Sequence, residues 1–232
     1  MNAFLKSLRG AIGAEVWSIA GPSIIQTLYM TVLTTVLTGI FGLVLGVALV
    51  LTDRDGLHPL RAFNSILGAV INALRSMPSV IIIILTLPLS RLIIGISYGP
   101  SACIVALAFT CIPMYARLVE NSILEVPLGK FEAAKAMGSR TAAIVFKVML
   151  PEALPNLIRS FTVAVIAVIS TTALAGSFGA GGLGDVAVRY GYQRFRVDML
   201  IASVASLIAL VTIVQITGNS IAKGILKKRH LL

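Results

Sequence analysis

The sequence predicts an all-α, polytopic membrane protein with five transmembrane helices and one long polar connection between the third and the fourth. Three observations carry this expectation. Of the 232 residues, 57% are hydrophobic and only 12% are charged, about half the charged share of an ordinary soluble domain. Five stretches, 16–52, 76–90, 92–116, 160–184 and 199–222, contain no charge at all. Four of them reach the roughly 20 apolar residues that a span requires. The fifth, 76–90, is short, and uncharged residues beyond Arg91 can extend it.

The elements follow in chain order. Phe4, Leu8, Ile12 and Val16 fall at helical spacing with Trp17 beside them, the pattern of an amphipathic helix lying in the membrane interface over residues 1–19. The 37-residue run after Glu15 is too long for the apolar core of a cleaved signal. A single membrane domain is expected over 20–222, with its first span within 20–51. That span carries Thr31, Thr34, Thr35 and Thr38. It also holds Gly42 and Gly46, a pair of small residues four apart that lets helices pack closely, within the chain or across a dimer. "TDRDGLHPLR" is a polar loop with turn residues Asp55, Gly56 and Pro59.

The segment 62–75 reads in two ways. It is helical in pattern but holds Asn64, Asn72 and Arg75. Arg75 is either an expensive and functional charge at membrane depth, or part of a surface helix with Pro78 marking entry into the bilayer. The third span runs over about 98–117, with Pro113 inside it and with Cys103 and Cys111 roughly 12 Å apart along the helix, too far for a disulfide. The fourth and fifth spans fall at about 157–180 and 199–222, and 223–232 is a basic tail.

The formal charge of +10 is membrane topology rather than a nucleic-acid footprint. If the 117–159 connection faces the cytoplasm, all 19 lysines and arginines lie on that side except Lys6, Arg9, Arg91, Arg189, Arg194 and Arg196. Positive charge concentrates on the cytoplasmic face of membrane proteins. The expected orientation puts the N-terminus outside and the C-terminus in the cytoplasm of a bacterial inner membrane.

Within that connection, "GKFEAAKAMGSRTAAIVFKVMLPEALP" stands apart from its surroundings. Pro127 and Gly129 break the preceding helix. Glu132 sits in the first turn of the next, where the helix dipole favours an acid, and Ala133, Ala134 and Ala136 are strong helix formers. Phe131, Ala134 and Met137 are expected to share an apolar face, Lys130 and Lys135 to stay solvated, and Gly138 to turn the chain into a second helix ending near Leu150-Pro151. Two short amphipathic helices cannot span a bilayer, but they can fill a groove on a partner.

The order Glu132-Ala133-Ala134, Gly138, then Val148-Met149-Leu150-Pro151 resembles the EAA motif of the permease subunits of ABC importers, with Val148 where the family has isoleucine. The resemblance extends from Arg75 onward. "RSMPSVIIIIL", "PMYARLVENSILEVPLGKFEAAKAMG", "VMLPEALPNLI" and "GAGGLGDVAVRYGYQRF" are similar to the methionine-importer permeases. It implies a type I importer permease fold and an amino-acid import function by alternating access, for methionine above other amino acids. It also implies a coupling helix docking on an ATPase subunit through Glu132, Ala133, Ala134, Lys135, Met137, Gly138, Leu150 and Pro151. The implied partners are a second copy of the chain, two ATPase subunits that carry the ATP-Mg, and an extracytoplasmic solute-binding lipoprotein. Leu174 aligns with a gate residue of that family or serves ordinary span packing. Gly176, Phe178, Arg75 and Pro113 complete the candidates for the gate and pathway.

Other classes fare worse. "GAGGLG" (179–184) matches a dinucleotide fingerprint in letters only, because no strand precedes it and Asp198 follows too closely. The glycines are expected to break the outer end of the fourth span. No G-x-x-x-x-G-K-[ST] phosphate loop occurs, so ATP falls to a partner. His58 and His230 have no ligand-spaced companions for a metal. All nine acids lie outside the uncharged runs, which disfavours an ion-coupled secondary transporter. Neither histidine lies in a span, which disfavours an intramembrane enzyme.

Overall fold

The computed structural model describes residues 10–228. Every regular element among them is helical: α1 (Ala14–Thr52), α2 (Arg61–Ser76), α3 (Ser79–Ile94), α4 (Pro100–Leu124), α5 (Leu128–Ala136), α6 (Thr141–Ala180), α7 (Gly182–Asp185) and α8 (Val197–Lys228). Helix α6 is not uniform. It widens into a π turn at Val145–Met149 and kinks at Phe178-Gly179 within Gly176–Ala180, and another wide turn, Val186–Tyr192, continues α7. The first π turn ends two residues before Pro151. A proline inside a helix has no N–H to donate and its ring collides with the carbonyl one turn back, so the widened turn accommodates it.

α1, α4, α6 and α8 are each long and apolar enough to cross a membrane. The second expected span is different. α3 has 16 residues, about 24 Å of helix, and a break at Met77-Pro78 bends it by 109° from α2. A fifth crossing exists only if this bent pair counts as one. α2 is a separate amphipathic helix. It buries Gly68 and Ile71, exposes Phe63, Ile66 and Val70, and carries an exposed Arg75 in its last turn. No straight helix therefore carries Arg75 through a bilayer.

Residues 1–9, the first part of the expected interfacial helix, and 229–232 lie outside the described residues. Ala14–Ala20 are the first turns of α1, with no break near residue 19. Val16 is buried while Ile12 and Trp17 are exposed. Likewise α8 continues to Lys228 without interruption at residue 223.

The chain divides into two compact units. The first takes the described part of Met1–Val36, with Met77–Cys111 and Val165–Val214. Val16, Val186, Met199 and Ala202 form a buried cluster there. Cys103 and Cys111 are buried free thiols, and Ser90 Oγ donates to the Ala102 carbonyl at 2.8 Å, tying α3 to α4. Arg196 holds Glu15 and Asp198, each at 2.7 Å. Its hydrogen bonds to Asp198, and then to Glu15, keep the guanidinium above its ordinary range.

The second unit takes Leu37–Ser76, Ile112–Ala164 and the described part of Gln215–Leu232. Its core gathers Tyr115, Val119, Ile123, Val145, Met149 and Leu157, with the Tyr115 and Phe161 rings edge to face at 5.5 Å. Gly42 and Gly46 belong to this packing. A Cβ at either would come within 2.6 Å of Tyr115, or of Ala116 and Val119, on α4 of the same chain. The small-residue pair is occupied inside the chain and is not free for a dimer.

Candidate functional site: the α5 handle and the glycine-rich break

The expected handle is α5 and the turn that follows it. Pro127 (φ −56°, ψ 126°) sets an extended entry and α5 runs for nine residues. Its end is a Schellman motif. The Gly138 N–H donates to the Lys135 carbonyl at 3.0 Å and the Ser139 N–H to the Ala134 carbonyl at 3.2 Å, satisfying two carbonyls the helix leaves open. This geometry needs a left-handed residue. Gly138 sits at φ +73°, with nothing within 4 Å of where a Cβ would be. The glycine is required by backbone conformation alone.

The faces of α5 differ from the sequence expectation. Phe131 is half-buried against the second unit's core and Ala134 is buried, but Met137 is 78% exposed. The reason is that α5 ends at Ala136 and Met137 is its cap residue. Extending the helical face one residue too far placed Met137 inside. The outward side is made of Gly129, Ala133, Ala136 and Met137, with exposed Leu128 beside it. Ala134 is buried and packs the handle onto its own chain. Leu150 also turns inward, against the core that receives Phe131.

Several polar contacts hold the handle. Lys130 Nζ meets Glu152 at 2.7 Å, Asn156 Nδ2 donates to Glu125, and His58 Nε2 pairs with Thr141 Oγ1 at 2.7 Å. The last contact anchors the 53–60 loop to the start of α6. That loop folds tightly. A Cβ on Gly56 would meet the Val50 and Leu51 carbonyls, and Asn64 Nδ2 donates to the Leu49 carbonyl at 2.7 Å and to Thr52 Oγ1 at 3.0 Å. Asp53, Asp55 and Leu57 from the loop, with Phe131, Glu132 and Lys135 from α5, line a cavity of about 560 Å³.

The gate candidates fall in both compact units. Leu174, Gly176 and Phe178 belong to the first unit, Arg75 and Pro113 to the second. Leu174 is 44% exposed and immediately precedes the break. The break is the glycine segment that resembled a dinucleotide loop: Gly179, Gly181 and Gly182 all adopt positive φ, and Phe178 leaves helical geometry. Gly176 and Gly184 serve packing instead. A Cβ on either would overlap the backbone of the other arm, at Gly184-Asp185 or at Ala173. The Gly179 carbonyl accepts from the Gly99 N–H at 2.9 Å.

Two residues that sequence reasoning missed hold this break. Gln26 Oε1 accepts from the Gly182 N–H at 2.8 Å, and Thr27 Oγ1 from the Leu183 N–H at 2.9 Å. The signal was present. Gln26 is the only amide side chain in the uncharged run 16–52, and polar groups persist in spans when something needs them.

The family description "binding-protein-dependent transport system inner membrane component" matches residues 39–229. The chain belongs to this family. The permease is 41% identical over 86% of its length to a protein of Vibrio cholerae named "Probable D-methionine transport system permease protein MetI", covering 89% of that relative. It is 43% identical to the "Methionine import system permease protein MetP" of Bacillus subtilis, over 78% of this chain and 81% of that one. A solved structure described as an inward-facing conformation of the MetNI methionine ABC transporter superposes with a TM-score of 0.90 at 33% identity, covering 92% of this chain and 99% of the other. The expected importer permease fold is therefore observed. The permease is a transport component, not an enzyme.

Proposed function

We propose that this permease forms, as a homodimer, the translocation pathway of an ATP-driven methionine importer. Two ATPase subunits carry the ATP-Mg, and an extracytoplasmic solute-binding protein delivers the substrate. The observation that carries the reading is the α5 handle. It is a short helix fastened to its own chain through Phe131 and Ala134, with Ala133, Ala136 and Met137 left outward and a glycine-defined turn behind it. The methionine-permease relatives support the substrate. In this reading α5 faces the cytoplasm, the C-terminus is inside and the N-terminus outside, as the charge distribution favours.

ATP binding draws the ATPase subunits together, and each handle passes that displacement into α6. The π turn at Val145–Met149 and Pro151 lie on the route. The glycine break beside Leu174 is the bistable element at the far end, a gate that opens outward to accept solute. The free energy comes from the different affinity of the nucleotide-bound ATPase for the two states.

The test uses the permease with its ATPase and binding protein in liposomes, following ATP-dependent uptake of labelled methionine. Glu132→Arg and Gly138→Leu are expected to abolish uptake while the dimer still elutes intact. Uptake without ATP, or unchanged in both variants, overturns the handle. ATP-dependent uptake of a different amino acid keeps the importer and replaces the substrate.

A further inference from the structure

The first N–H groups of a helix have no acceptor within it, and hydrocarbon offers no water in place of one. α7 begins at Gly182, and its cap residue, Gly181, has no side chain to accept with. The acceptors come instead from α1, 156 positions away: Gln26 Oε1 for the Gly182 N–H and Thr27 Oγ1 for the Leu183 N–H. Thr27 is buried, and its hydroxyl donates its own proton to the Ser23 carbonyl at 3.0 Å. That bond fixes the hydroxyl, leaving a lone pair for Leu183. The glycines make room for both acceptors. A Cβ on Gly181 would come within 2.6 Å of Gln26 Oε1, and one on Gly182 within 2.6 Å of Thr27 Oγ1.

The contact lies at membrane depth. Tryptophan favours the membrane interface, and Gln26 follows Trp17 by nine residues in α1. That is about 13 Å further along the helix, well inside a hydrocarbon core of about 30 Å. The break is also stiff within itself. A Cβ on Gly176 would overlap Gly184-Asp185, and one on Gly184 would overlap Ala173. The end of α6, with Leu174 on it, and the start of α7 therefore form one close-packed block.

We propose that Gln26 and Thr27 are positioning residues for transport, a latch that keeps this block on α1 until the ATP-driven displacement arrives. The inference rests on the importer reading and names the contact that the gate must break. When block and helix part, two backbone N–H groups lose their acceptors together, so the held and the parted arrangements are discrete. Leaving a buried N–H unpaired costs stability, so the latch disfavours opening without ATP.

The experiment measures uptake of labelled methionine per ATP hydrolysed, with permease, ATPase and binding protein in liposomes and dimer elution checked for every variant. Gln26→Met/Thr27→Val nearly keeps the size of both side chains and removes both acceptors. It is expected to lower uptake per ATP by about fivefold or more, with ATP hydrolysis undiminished. Gln26→Glu/Thr27→Ser keeps an oxygen at both places and should stay within about twofold of wild type. Gln26 is exposed, so if the first pair does not elute as a dimer, Gln26→Met alone decides: a fall beyond about twofold supports the latch, and wild-type coupling overturns it. If the Met/Val pair couples as wild type, the latch is overturned while wild-type uptake keeps the importer reading. If the Glu/Ser pair falls as far as the Met/Val pair, side-chain fit rather than the two acceptors is responsible, and the latch is again overturned. If wild type shows no ATP-dependent uptake of methionine or another amino acid, the importer reading fails and takes the latch with it.

Discussion

Both ends of α6 are broken at glycines with positive φ, but only the far end adds glycines that are there for contact. Near its start, Gly138 stands in open space at φ +73°, and the missing Cβ matters only because a side chain resists that backbone conformation. Near its end, Gly176 and Gly184 have ordinary φ values but lie so close to the facing backbone that a Cβ has nowhere to go. One break is a shaped, exposed turn; the other is a close-packed joint clamped by Gln26 and Thr27. The exposed turn is built from local geometry, and the joint between two arms of one chain is built from contact.

Substitutions separate the two designs. The largest effect is expected at the joint. Gly176→Ala or Gly184→Ala forces backbone apart and should cost about 3 kcal/mol or more, seen as loss of the monodisperse dimer on size exclusion. If either variant is as stable as wild type, the arms are not packed as the structure has them.

A smaller effect belongs to the handle. Gly138→Ala strains a left-handed residue by roughly 1–2 kcal/mol and should lower ATP-dependent uptake more than it lowers thermal stability. Gly138→Asn, which tolerates that region, should keep most of both. Equal losses in the two variants would mean that bulk, not conformation, is excluded at this turn.

The smallest effect is at the fastening of the handle. Lys130→Met removes a half-exposed ion pair with Glu152 and should cost about 0.2–1 kcal/mol, shrinking further as salt rises. A loss well beyond that in thermal denaturation would make the pair part of the handle's core.

What could be read beforehand follows the same division. The handle was legible because it is local. Its proline entry, alanine helix and turning glycine each act within a few residues, so their order in the chain states the structure. The misplaced Met137 marks where local reading stopped, one residue past the end of α5. The joint was legible only as a place where a helix should break. Which residues clamp it depends on α1, more than 150 positions away in sequence.

The second span shows the same limit. Pro78 announced a break, but the 109° bend that separates amphipathic α2 from short α3 is a matter of packing. Gly42 and Gly46 announced a close approach without naming the partner, which proved to be α4 of the same chain.

From the sequence alone come the helical class, the apolar runs, the turn at Gly138 and, through the resemblance of its motifs, the importer family. The first three rest on composition, period or a backbone preference carried by single residues. Tertiary structure alone decided which faces turn inward and which glycines are packing sites. The reason lies in the solvent. Lipid tails are as apolar as a protein core, so a leucine facing either one reads the same in sequence, and only the packed chain tells them apart.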